Sequence, residues 1–252
     1  MPKILSRLVP KPFKKPIERI YQKVIHFGLA RYCPVCNSCV RNFTTFGLKQ
    51  RSDAKCPICK ALERHRFVWL FLKKDTNLFD GKRKKMLHFA PERELERNFK
   101  KVTALNYLSA DLNDPNAMVK IDITNIEYPD ESFDLIYCSH VLEHIEDDRK
   151  AISEIYRVLK KTGRAVILVP IMAEKTFEDP TIVDPVERER AFGQSDHVRR
   201  YGPDFKNRLT ENNFETTIIY TSEYFDEKDI ERLGLKYIDP KEMPIFFCKK
   251  SE

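Results

Sequence analysis

Two C-x-x-C pairs, Cys33-Pro-Val-Cys36 and Cys56-Pro-Ile-Cys59, lie 19 residues apart in a chain of 252. Each pair can wrap one edge of a tetrahedron, so the spacing predicts a structural zinc site with Cys33, Cys36, Cys56 and Cys59 as ligands. Four thiolates close the coordination shell and leave no position for a catalytic water. A segment this short cannot bury enough surface to fold alone, and metal binding supplies the missing stability. Cys39 is a surplus thiol, and His65 stands close enough in sequence to compete as a ligand. The basic residues between the pairs, Arg41, Lys49, Arg51 and Lys55, are too sparse to favour RNA, so the ribbon reads as a brace for its neighbourhood.

Disulfides are the other use of clustered cysteines, and they need an oxidising compartment. The N-terminal apolar runs are broken by Arg7 and Pro10, so the core of a secretory signal is not expected. No stretch reaches about 18 uninterrupted apolar residues, so a transmembrane helix is not expected either. A cytoplasmic protein is the resulting expectation. The net charge of +7 is concentrated: residues 1–30 hold Lys3, Arg7, Lys11, Lys14, Lys15, Arg19 and Lys23 against Glu18 alone. The body is therefore nearly neutral, which argues against a broad nucleic-acid footprint. Ile17, Ile20, Tyr21, Val24 and Ile25 recur at helical spacing in this basic head. An amphipathic arm follows, either packed on its own domain or touching the inner face of a membrane.

Three segments are expected: an arm over 1–30, a zinc ribbon with an exit helix over 31–75, and a larger domain over 80–252. In the last, strand signals at 85–89, 104–110, 117–123, 133–138 and 164–171 alternate with helix signals at 92–101 and 147–161. Gly163 reads as the C-terminal cap of the second helix. Residues 172–201 are polar and aperiodic, a lid or substrate wall. A helix over 202–213, a strand over 214–220, a short helix over 227–233 and a strand over 244–249 complete the chain. Such alternation implies an α/β fold with a doubly wound sheet.

The segment from Ser132 to Ile145, SFDLIYCSHVLEHI, precedes a helix, a glycine and an apolar strand. With Phe133-Asp134-Leu135-Ile136 and Val141-Leu142-Glu143-His144-Ile145 in this order, residues 84–170 resemble the class I S-adenosylmethionine-dependent methyltransferases. The resemblance implies a seven-stranded Rossmann-like sheet with helices on both faces. It also implies cofactor contacts from Phe89, Ala90, Pro91, Glu92, Asp111, Asp122, Ser139 and His140. The first turn, His88-Phe89-Ala90-Pro91-Glu92, departs from the family's glycine-rich turn. The cofactor carries no pyrophosphate, so a nest of glycine amides is less needed than for NAD. Ala90 permits close backbone approach, and Glu92 can face the cofactor's ammonium. Asp111, 19 residues past Glu92, suits the ribose hydroxyls. Asp122 corresponds to the family's acid near the adenine amino group.

His140-x-x-Glu143-His144 also matches an inverted zinc-protease pattern, but it follows a buried strand in a turn, where that motif needs a helix. His144 reads as a structural hydrogen-bonding residue. Asp196, His197, Arg199, Arg200 and Tyr201 form a second constellation at the end of the lid. Arg199, Arg200 and Tyr201 are the expected substrate contacts, since paired guanidiniums suit a phosphate or carboxylate. His197, tuned by Asp196, and His140 are the expected bases. The expected reaction is methyl transfer to a hydroxyl of a small molecule or glycan, a sugar or sugar phosphate. A zinc-ribbon RNA methyltransferase and a non-catalytic binding module are the alternatives.

Overall fold

The computed structural model describes residues 10–47, 50–236 and 243–251. The chain divides into two compact units. One comprises the residues up to Asp75 together with the segment from Phe225 to Lys236; the other comprises Thr76–Tyr224 with the last strand.

The first unit opens with helix α1 (Lys11–Ile25), which Pro12 at its second position starts at no hydrogen-bonding loss. Residues 1–9 of the expected arm lie outside the described residues. Phe13, Ile17, Ile20 and Val24 recur on one face of α1 and are exposed, Val24 to 70%. Two small hairpins follow, β1 (Arg31–Cys33) with β2 (Ser38–Val40) and β3 (Thr44–Phe46) with β4 (Arg51–Lys55). Helix α2 (Glu63–Asp75) leaves them and buries Phe67, Val68, Phe71 and Leu72.

The centre of this unit is a fully buried arginine, Arg66. Its guanidinium donates to the carbonyls of Ala54 (2.9 Å), Ala61 (2.9 Å), Leu233 (2.6 Å) and Gly234 (2.5 Å). It also lies 4.0 Å from the centre of the Phe43 ring. A buried charge persists only when its donors are met in this way. The expected division at residue 80 did not include the return of helix α8 (Glu227–Leu233) to this unit. Gly234 makes the return possible: it has φ +59°, and a Cβ there would sit 2.4 Å from the Phe43 ring.

In the second unit a seven-stranded sheet is built from β5 (Lys84–Phe89), β6 (Leu105–Asp111), β7 (Val119–Lys120), β8 (Phe133–Ser139), β9 (Leu159–Leu168), β12 (Phe214–Ile219) and β13 (Ile245–Lys250). Its order is β7-β6-β5-β8-β9-β13-β12. The first five are parallel, and β13 runs antiparallel to both neighbours. Helices α3 (Arg93–Phe99), α4 (Asp148–Val158) and α6 (Phe205–Glu211) connect them. Apolar residues at Ala151, Ile152, Ile155 and Val158 lie at helical spacing and are buried. They pack with Leu87, Ile136, Ile167 and Phe205 in one core. Each such aliphatic side chain stabilises the fold by roughly 1.5–3 kcal/mol.

The α4–β9 junction differs from the expected helix over 147–161. The helix ends at Val158, and Leu159 to Leu168 already form β9. Gly163 is therefore no helix cap: it lies inside β9, where a Cβ would meet Leu159 Cδ1 at 2.8 Å. Pairing of Phe133 with Leu159, then of Leu135 with Arg164, shows that sheet register overrides helix propensity here. The expected lid over 172–201 also contains structure: helix α5 (Pro185–Phe192) and a short antiparallel pair, β10 (Phe177–Glu178) with β11 (Arg199–Arg200).

Candidate active site

Strand β5 pairs with β6 on one side and β8 on the other, so the sheet reverses its direction of growth there. In open α/β sheets ligands bind at such a switch point, beyond the carboxyl ends of the strands. Both strands end in a left-handed residue: Ala90 has φ +47° and His140 has φ +55°. Such a conformation is costly for a residue with a Cβ and tends to mark functional turns. The amides of both residues stay tied to the sheet, Ala90 N–H to Ala110 O and His140 N–H to Leu168 O, each at 2.9 Å. The turns are thus held sharply, with their side chains at the strand ends.

Glu92 and Ser139 meet across this crevice, the Ser139 hydroxyl donating to Glu92 Oε1 at 3.0 Å. His88 is buried in β5, with Nδ1 2.8 Å from the Tyr107 hydroxyl and Nε2 3.6 Å from Glu92 Oε2. Asp111 closes β6. Its Oδ1 accepts from the amides of Asn113 and Asp114, each at 2.7 Å, which fixes the carboxylate at the strand end. Asp122 is exposed, and its Oδ1 accepts from the amide and hydroxyl of Thr124. Those hydrogen bonds hold its carboxyl below the usual range. Phe89 is buried, and Pro91 lies between it and Glu92 in the same turn.

A second group of side chains stands beside the first. His140 Nδ1–H donates to Glu143 Oε1 at 3.1 Å. Glu143 is 1% exposed. Burial alone would raise its pKa, but His140 and His144 outweigh that and lower it, so the carboxylate stays ionised. His144 donates from Nδ1 to the Asp196 carbonyl at 3.2 Å and lies 3.3 Å from Asp196 Oδ2. The rings of His144 and His197 meet edge to face at 4.7 Å. His197 is buried, which lowers its pKa and keeps the imidazole neutral.

These positions revise several expected roles. Asp196 faces His144 directly, and its charge also pulls the His197 pKa upward against the larger effect of burial. Arg199 is buried, and its guanidinium donates to Glu178 Oε2 (2.8 Å), to Leu142 O (2.9 Å), to Glu146 O (2.8 Å) and to Ile145 O. Tyr201 is fully buried, its hydroxyl 2.5 Å from Asp148 Oδ2. Neither is free to grip a substrate; both clamp the lid onto the turn after β8. Arg200 lies half-buried, donating from Nη2 to Met172 O.

The sequence reading did not single out Asp148, Glu178 or Arg208. Arg208 donates twice to Asp148 (2.8 and 2.7 Å) and once to Glu178 (2.8 Å). No local pattern marks these residues, because their partners lie 30 to 60 positions away.

In the first unit, Cys33 Sγ lies 3.6 Å from Cys59 Sγ, and Cys36 Sγ lies 3.8 Å from Cys56 Sγ. Four sulfurs at about 2.3 Å from a tetrahedral zinc would be about 3.8 Å apart, so the thiols fit the ion. Cys39 pairs in register with Tyr32 and is not among these four. His65 is likewise outside the cluster, its Nδ1 accepting from the Leu62 amide.

Residues 90–167 match the family model of a methyltransferase domain. That match spans less than half of the chain. Similar proteins include the uncharacterized methyltransferase YcgJ of Bacillus subtilis, 39% identical over 75 residues, 30% of this chain and 28% of that one. The ubiquinone/menaquinone biosynthesis C-methyltransferase UbiE of Hydrogenovibrio crunogenus is 45% identical over 53 residues, 20% of this chain and 21% of that one. The matched segments thus span about a quarter of these relatives' length. An S-adenosylmethionine-dependent methyltransferase from Mesorhizobium loti shares the fold over 72% of this chain and 97% of its own, with a TM-score of 0.52 at 14% identity. The matched residues hold Ala90, Glu92, Asp111, Asp122, Ser139, His140, Glu143 and His144, whereas His88 and the lid with His197 lie outside them.

Proposed function

We propose that this protein transfers the methyl group of S-adenosylmethionine to a hydroxyl of a small molecule or glycan. The observation that carries the reading is the pair of left-handed turns at Ala90 and His140, with Glu92 and Ser139 joined between them at the switch point. When bound, the cofactor supplies an electrophilic methyl on a positively charged sulfonium. Glu92 would face its ammonium, and Asp111, fixed by two backbone amides, would accept from the ribose hydroxyls. Asp122 would accept from the exocyclic amine of the adenine. His140 is the favoured base. Its Nδ1–H is held by the Glu143 carboxylate, so Nε2, buried and without a hydrogen bond, can take a proton from the acceptor hydroxyl. With a good leaving group already in place, the chain's main contribution is orientation. The four cysteines would hold a structural zinc that braces their own unit.

Calorimetric titration with S-adenosylhomocysteine tests the cofactor site. Wild type is expected to bind. Asp111→Ala is expected to bind at least roughly tenfold more weakly, since a hydrogen bond to a charged group is worth about 1.5–3 kcal/mol. A folded wild-type protein that does not bind would refute the reading and favour the non-catalytic alternative.

The exposed face of α1 supports peripheral contact with an anionic membrane surface, and with it a lipid-linked acceptor. Its apolar residues Phe13, Ile17, Ile20 and Val24 are the kind that enter the headgroup boundary, and the +6 charge of residues 1–30 suits anionic lipid. The full chain is expected to sediment with phosphatidylglycerol vesicles at low salt and not with phosphatidylcholine vesicles. Ile20→Glu is expected to stay in the supernatant. Equal behaviour of both proteins on both vesicles would exclude this contact.

A further inference from the structure

The side chains beside the cofactor turn converge in a way that methyl transfer alone does not require. One oxygen of Glu143 and one nitrogen each of His144 and His197 lie within 4.8 Å of one another. Among the described residues, Glu143 Oε2 and His197 Nδ1 are buried and find no hydrogen-bond partner. Burying a carboxylate oxygen with nothing to accept from is costly. Two neutral imidazoles and one carboxylate are the donor set that first-row transition ions prefer.

The surroundings of each candidate ligand point the same way. A metal-bound histidine usually donates its other ring N–H to a carbonyl or carboxylate, which sets its tautomer and aims the free nitrogen. His144 does this: Nδ1–H is directed at Asp196, through both carbonyl and carboxylate, which leaves Nε2 for a ligand. Glu143 is oriented similarly, with Oε1 held by His140 and Oε2 left over. The main chain fixes the two halves together. Val198 N–H donates to Glu143 O at 2.9 Å, which sets His197 against the turn after β8. Arg199 adds three further carbonyls of residues 142–146 to this joint.

We infer that Glu143, His144 and His197 form a second metal site, for a divalent first-row transition ion, distinct in chemistry from the four cysteines. The three ligand atoms all lie within 4.8 Å of one another, within reach of one ion at about 2.0–2.2 Å once the His144 and His197 rings turn toward it. Three protein ligands leave coordination positions open, as in metal sites that hold a substrate oxygen. An acceptor hydroxyl on the ion would lie beside His140. That role rests on the methyl-transfer reading; the metal site does not.

The experiment uses the full chain, dialysed against zinc and then against metal-free buffer, with metal content measured by elemental analysis. Wild type is expected to retain two zinc ions per chain. His197→Ala and Glu143→Gln are each expected to retain one, and Glu143→Gln keeps the oxygen that His140 needs should the first variant fold poorly. Asp196→Ala leaves all three ligands in place and is expected to bind the second ion roughly 10- to 100-fold more weakly. Cobalt(II) added to protein whose cysteines already hold zinc is expected to give d–d absorption without a thiolate charge-transfer band. One zinc in wild type, or two in both ligand variants, would overturn the proposal and leave a hydrogen-bonded cluster. S-adenosylhomocysteine binding, measured on the same samples, separates this failure from failure of the cofactor reading.

Discussion

Replacing Cys56 with serine is expected to remove one zinc ion per chain and to unfold the cysteine-bearing unit. Cys56 is fully buried, and its sulfur lies 3.8 Å from that of Cys36. The strands of the hairpins around it are three to five residues long, too short to be stable without a staple. Zinc contributes about 10–16 kcal/mol to the folding of comparable small modules. Limited proteolysis should cut between residues 31 and 61 in the variant and not in wild type. Cys39→Ser is the control and should leave the metal content unchanged. A Cys56→Ser protein with wild-type zinc content and protease resistance would remove the metal from the account.

Asp148→Ala is expected to cost about 3–5 kcal/mol of stability without touching the cofactor crevice. The Asp148 carboxylate accepts from Arg208 and Tyr201 and lies 3.8 Å from Arg199 Nε. Removing it strands buried cations, and breaking a buried pair from one side destabilises far more than the pair itself contributes. Urea unfolding measures the loss, and a change below about 1 kcal/mol would mean that the network is dispensable. The same network gives an acid dependence. Burial raises the Glu178 pKa, but hydrogen bonds from Arg208 and Arg199 outweigh it and bring the value below its ordinary range. A lowered folded-state pKa adds stability above the unfolded value, about 4.3, and that stability is lost as pH falls through the folded value. Wild type should therefore lose stability between about pH 5 and pH 3, and Glu178→Gln should lose measurably less over the same interval.

The Asp148–Arg208–Glu178 network holds the lid. Arg199 and Tyr201 were natural candidates for substrate contacts because arginines and a phenol after an irregular segment resemble an anion grip. Their burial depends on where β10 and β11 pair, and on Asp148 at the start of α4. Neither fact leaves a trace within 10 residues of either side chain. The histidines show the same limit from the other side. His140, Glu143 and His144 are visible as a local motif, but His197, whose ring meets that of His144, is 53 positions further along the chain.

The sequence by itself determined the sheet and the cysteine cluster. Period and spacing are local properties: the apolar runs of β5, β8 and β9, the helical face of α4 and two C-x-x-C pairs each report on neighbours within one element. Acids at the strand ends, Asp111 and Glu92, were legible for the same reason, since their positions follow from where the strands stop. The tertiary structure alone decided the rest. It brought α8 back to the cysteine unit, ended α4 early in favour of sheet register, withdrew Arg199 and Tyr201 into the core and set His197 against Glu143. Each of these depends on contacts between distant residues, chosen by packing and by the need to satisfy every buried polar group at once.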